Sequence, residues 1–157
     1  MKQLTLLMIS ALFISFAIAQ PPSEKLFKKY GDKKGVESSV TSQPFIIDTV
    51  RNTSITSVIK TITISSDGEE STGKTSTQLF KSATKDCLKL LNSKGYTLIH
   101  QEKDDEETLK VCRYAKNGII EMCVLEIDND ELTLTSTQFS GLTEEGMRNV
   151  KFTYTNK

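Results

Sequence analysis

The chain has 157 residues, with 20 basic and 20 acidic side chains, one His, three Cys and no Trp. A chain of this size closes a single hydrophobic core. Balanced charge without a polybasic run excludes the electrostatic footprint of a nucleic-acid binder or of a protein held on anionic lipid. One His and no C-x-x-C leave no ligand set for a metal, and no residue pattern implies a cofactor.

The first element is an export signal. Lys2 supplies a positive start, Leu4 to Ile18 form an apolar run, and Ala17-Ile18-Ala19 places small residues where signal peptidase cuts. The run is shorter than the roughly 20 apolar residues of a membrane span, and Pro21-Pro22 ends any helix behind it. Residues 1–19 are therefore expected to be a cleaved signal peptide. Residues 20–157 are then one extracytoplasmic domain, periplasmic or secreted, with no transmembrane segment and no lipid-anchoring Cys after the cut.

Ser23 can cap a short helix carrying Leu26, Phe27 and Tyr30, which Gly31 ends. Val36 and Val40 alternate with polar residues over Val36–Ser42, and Pro44 interrupts. The stretch Phe45–Ser57 reads ambiguously, Val58–Ser65 as a β-branched strand, and 66–74 as a loop. Ser76–Lys94 is the clearest helix, with Phe80, Ala83, Cys87, Leu90 and Leu91 on one face and Gly95 as its stop. The period then switches to two. Tyr96–Glu102, Thr108–Ala115, Gly118–Ile127 and Glu131–Phe139 read as a four-strand meander turning at Asp104–Glu107, Asn117-Gly118 and Asn129-Asp130. A short helix led by Gly141-Leu142-Thr143 closes the chain. The fold class is α+β: a largely antiparallel sheet with helices packed on one face.

Two-residue turns set the register. They place Cys112 opposite Cys123, Ile127 opposite Leu132 and Leu125 opposite Leu134. Tyr114, Cys112 and Cys123 then share an apolar face that should meet the Phe80/Leu90 helix. The other face, with Val111, Met122 and Val124 beside Arg113, Thr133, Thr135 and Thr137, is mixed and expected to be the more exposed.

The sharpest motif is Gly68–Thr75, which fits G-x-x-x-x-G-K-[ST]; Gly68, Gly73, Lys74 and Thr75 would cradle a nucleotide's phosphates and Mg²⁺. Glu69 and Glu70 would put two negative charges in that cradle. No Walker-B strand follows, and a meander is not the parallel sheet such folds use. Cys112 and Cys123 are candidates for a disulfide in an oxidising compartment, although the pair falls at a hydrogen-bonded position where a bridge is less comfortable. Cys87 competes as a partner, and all three also suit a core as small hydrophobes. His100 has no metal or triad partners beside it. Glu121 and Glu126 fall on opposite faces, so they do not pair as carboxylates. Asn52-Thr53-Ser54 is an acceptor for glycosylation if the host glycosylates.

The runs Leu26-Phe27-Lys28-Lys29-Tyr30-Gly31 and Lys34-Gly35-Val36-Glu37-Ser38-Ser39-Val40 resemble the opening of a small exported family, domain-of-unknown-function family 4252, found mainly in Bacteroidetes. Ile119–Leu125, Leu132-Thr133-Leu134 and Ser140-Gly141-Leu142 are similar to its closing strands and Gly-led helix. The chain departs from the family at Phe45–Ser57, where a longer helical segment is expected. The resemblance implies no catalytic residues, cofactor or substrate, and it makes residues 66–75 a connecting loop. The expected function is thus a non-enzymatic exported module binding a protein or an envelope component. A nucleotide binder acting through Gly68–Thr75 is the alternative, and a thiol-linked role is a third.

Overall fold

In a computed structural model of the chain, residues 20–48, 53–66 and 73–140 are described. The expected export signal, residues 67–72 with Gly68, Glu69 and Glu70, Asn52 of the glycosylation sequence, and the expected closing helix at Gly141 lie outside them.

Among these residues the elements run α1 (Glu24–Tyr30), β1 (Val36–Asp48), β2 (Thr53–Ser65), α2 (Gly73–Leu91), β3 (Tyr96–Lys103), β4 (Glu107–Lys116), β5 (Ile119–Asp128) and β6 (Glu131–Ser140). The four-strand meander is present as β3 to β6, but it is part of a larger sheet. Six strands lie in the order β1-β2-β6-β5-β4-β3, and each neighbouring pair is antiparallel. The ambiguous stretch Phe45–Ser57 supplies the end of β1 and the start of β2, which pair as a long hairpin. Pro44 is tolerated because β1 is an edge strand, where half of the backbone N–H groups have no ladder partner to lose. α2 then carries the chain from β2, inside the sheet, to β3 at the far edge.

The turn chemistry explains the register. Asn117 (φ 55°) and Gly118 (φ 75°) both occupy the left-handed region, as a tight turn matching the twist of β4 and β5 requires. Asn129 (φ 39°) does the same between β5 and β6. Asp104 closes the β3–β4 turn with its carboxylate, which accepts the backbone N–H groups of Glu106 (2.9 Å) and Glu107 (2.7 Å). Cys112 accordingly faces Cys123, Ile127 faces Leu132 and Leu125 faces Leu134, as the residue spacing predicts.

One buried cluster joins Leu26 and Tyr30 of α1 with Ala83, Cys87, Leu90 and Leu91 of α2. The sheet adds Ile62, Ile64, Cys112, Cys123, Leu125, Leu132 and Leu134, all on one face by register. The opposite face differs from its expected exposure. Val111, Ile120 and Met122 are buried there in a second cluster, with Leu109, Val124 and Phe139 packed against it. The threonines beside them pair across strands, Thr61 with Thr135 and Thr63 with Thr133 at 3.2 Å each, so that face satisfies its own hydroxyls.

Two local readings change. Ser23 does not cap α1 with its side chain, which turns inward instead. α2 ends at Leu91, before Gly95, and Gly95 is small for another reason: a Cβ there would stand 3.1 Å from the Tyr114 ring. The exposed large apolar residues Val40, Leu98 and Ile99 lie on the two edge strands, and a bulge between Leu98 and His100 interrupts the β3 edge. Such a bulge blunts further strand addition.

Candidate functional site

Among the described residues, two places gather chemistry-bearing side chains, one sealed and one open. The sealed place follows from the period of β5. Ile119, Glu121, Cys123, Leu125 and Ile127 alternate onto the helix-facing side, so a carboxylate is carried into the core with its apolar neighbours. Glu121 is fully buried. Its Oε2 accepts the Tyr96 hydroxyl at 2.7 Å, and its Oε1 accepts Ser136 at 2.5 Å and the Ser23 hydroxyl. Ser23 precedes α1, Tyr96 opens β3 and Ser136 lies in β6, so one side chain ties three separate elements together. No cation among the described residues pairs with it; Lys60, one row away, is taken by Glu24 at 2.5 Å. A carboxylate in such a place depends on its hydroxyl donors, since an unsatisfied buried polar group is costly. Full burial gives a substrate no access, so the arrangement is a structural tie.

The thiols share that interior. Cys87, Cys112 and Cys123 are fully buried and free. Removal from water pushes the Cys87 thiol up to about 12, reinforced by the charge of Asp86. Burial raises Cys112 too, opposed in part by Lys110, and raises Cys123 further with Glu121 adding to it. Neutral thiols without solvent access are poor nucleophiles. Cys112 and Cys123 face each other in register but are not bridged.

The other residues singled out by sequence are dispersed. Gly73, Lys74 and Thr75 open α2, while Gly68 lies outside the described residues. β2, the strand before them, is flanked by β1 and β6, both antiparallel to it, so the parallel arrangement of a nucleotide-binding loop is not formed there. His100 is exposed on β3 and among the described residues meets only Glu102, at 2.9 Å. Glu121 and Glu126 lie on opposite faces, as their spacing predicts. Among the described residues no group of three or more His, Cys, Asp or Glu could hold a metal, and no helix is long and apolar enough to cross a membrane.

The open place lies between the helices, at the C-terminal half of α2 and far along that helix from Gly73–Thr75. A solvent-facing cavity of about 370 Å³ is lined by Lys25, Leu26 and Lys29 of α1, and by Asp86, Lys89, Leu90 and Ser93 on and just after α2. Helical spacing produces this lining. Lys25 and Lys29 are one turn apart, and Asp86, Lys89, Leu90 and Ser93 recur at three, four and seven residues along one stripe. Leu26 and Leu90 are buried and belong to the core behind the cavity, whereas Lys25 and Lys89 are exposed at its rim. Asp86 is already engaged: its Oδ2 accepts Lys29 at 2.6 Å and the Tyr30 hydroxyl at 2.7 Å. Those two bonds, Lys29 first, hold its carboxyl below the usual range, and the same contact raises Lys29.

The sequence reading missed both places. Lys29, exposed near the end of α1, is one of the two links from α1 to Asp86.

The lowered Asp86 carboxyl has a pH signature. Its contribution to stability is present above its unfolded value near 3.8 and is lost as pH falls through the lower folded value. Asp86→Asn should therefore flatten the acid limb of a melting-temperature profile below about pH 4, with little change near neutrality beyond the loss of an exposed pair. A limb of unchanged slope in the variant would contradict that assignment.

No protein-family model matches the chain, and no curated protein matches it. Among solved structures, a protein of unknown function from Pseudomonas aeruginosa, PA94, is similar at 11% identity with a TM-score of 0.31, over 76% of this chain and 86% of that one. A likeness at that level carries no argument about fold or function.

Proposed function

We propose that residues 20–157 form an extracytoplasmic, non-enzymatic module whose two helices close one face of the sheet and whose task is to bind a protein or an envelope component. The observation that carries this reading is the cavity between α1 and α2, with a lysine rim and access to solvent. Its volume falls in the range of ordinary ligand sites, roughly 300–1,000 Å³. Among the described residues, Glu121 and the three thiols are sealed in the core. The export signal and the resemblance to family 4252 agree with a module of this kind.

The purified protein should retain a partner from envelope extract that the double variant Lys25→Glu/Lys89→Glu, folded to the same melting temperature, does not retain. Equal retention by both proteins would remove the groove from the function.

A further inference from the structure

The sheet face turned away from the α1–α2 cavity holds buried apolar side chains with no described helix above them. Ile120 is 1% exposed, Met122 6% and Val111 7%. Ser57, paired with Phe139 across β2 and β6, is buried on the same face. Register puts all of them opposite the side of Cys123 and Leu125, where α1 and α2 pack. Strand neighbours shield a side chain only at its flanks, so burial this complete needs atoms above the sheet. The burial is also local. On this face Glu37, Ser39 and Thr41 of β1 are exposed, as are Asp128 and Glu131 at the β5–β6 turn. It is concentrated toward the end of the sheet where the chain leaves β6.

We propose that the cover is the chain's own C-terminal segment, residues 141–157, docked on this face as a second layer. Its starting point is the first reason. It leaves β6 at Ser140, one residue after Phe139, whose register partner is Ile120. Reach is the second. From β6 across β5 to β4 is two strand spacings, about 10 Å. The segment's seventeen residues span more than that even in their shortest regular form, a helix of about 25 Å. Composition is the third: Leu142, Met147, Val150, Phe152 and Tyr154 supply five large apolar side chains. Residues 67–72 contain no apolar side chain, and residues 49–52 only close the β1–β2 hairpin, far from β4. With this cover in place the apolar face is satisfied within the molecule and is not offered to a partner.

The test uses the full chain with a photoreactive benzoylphenylalanine in place of Ala115 or of Val124, both half-buried on this face and remote in sequence from the segment. Irradiation and peptide mapping should join each probe to residues 141–157 of the same molecule. The same probe at Val40, exposed on β1 and on the helix side by register, should not reach them. Met122 is a second reporter. Val150→Asp/Phe152→Asp should speed its oxidation by hydrogen peroxide roughly tenfold or more, while Cys87, on the helix side, stays as unreactive toward iodoacetamide as before. If both reactions accelerate together the variant has unfolded, and the cross-link map decides.

Cross-links between two molecules would make a second copy the cover, and cross-links to residues 1–19 would assign it to the export signal. Either result overturns the proposal. So do probes that capture no part of residues 141–157, or Met122 oxidation that is unchanged in the folded double variant.

Discussion

Glu121→Ala is expected to cost about 3–5 kcal/mol of folding stability and to lower the melting temperature by roughly 10 °C. The residue is fully buried, and removing it strands three hydroxyl donors at once: Ser23, Tyr96 and Ser136. Each orphaned buried group costs about 1–3 kcal/mol. The sum is moderated because Ser23 and Ser136 already lie 3.3 Å apart and can turn toward each other. Glu121→Gln keeps the shape and one carbonyl acceptor, and the hydroxyls can rotate to accept its amide N–H, so about 1–2 kcal/mol is expected. The loss should be uneven in space. Ser23 is one of the links from the sheet to the start of α1, beside the Lys60–Glu24 pair, so amide exchange in Glu24–Tyr30 should accelerate before that in β4 or β5. Differential scanning calorimetry with hydrogen exchange checks both parts. An alanine variant that melts within a degree or two of the unaltered protein would show that the tie is not what holds α1 down.

The second large effect concerns the thiols. In the native protein at pH 8, Cys87, Cys112 and Cys123 should react with iodoacetamide on the order of 10³-fold or more slowly than in urea, because alkylation must wait for an opening that exposes them. Accessibility and ionisation act together. All three are fully buried, and removal from water raises each thiol, Cys87 to about 12. The same shifts define an alkaline limb. The unfolded thiols ionise near 9, so the stability held by the buried neutral forms is complete below that pH and is lost as pH rises toward 12. Cys87→Ala should remove its part of that loss. Intact mass after native labelling at pH 8 decides the issue. Rapid modification of any one thiol, or a mass short of a hydrogen pair from a Cys112–Cys123 bridge, would overturn the picture of three inert core residues.

The legible part of the candidate sites was larger than the sequence reading used. Period two in β5 already puts Glu121 between Ile119 and Cys123 on the inward side, so its burial was available from spacing. Its partners were not, because Ser23, Tyr96 and Ser136 come from distant parts of the chain and nothing local announces that they converge. The lysine groove hid for a related reason. Lys25 and Lys29 show their one-turn spacing, and Lys89 and Asp86 theirs, but only the packing of α1 on α2 turns two ordinary helix surfaces into one cavity. Ser23 illustrates the reverse error: a residue well suited to capping a helix was claimed by a buried carboxylate nearly a hundred positions away.

What local physics determined by itself is the meander. Asn117-Gly118 and Asn129-Asp130 impose tight turns, the turns set the register, and the register places Cys112 against Cys123 and Leu125 against Leu134. Backbone sterics and side-chain alternation are short-range, so sequence suffices for them. Tertiary structure alone decided that β1 and β2 join that meander through β6 to make six strands, that Val111, Ile120 and Met122 are buried on the face expected to be open, and that two helices meet along a charged groove. Those outcomes depend on which surfaces of remote segments exclude water together, and that is a property of the assembled chain.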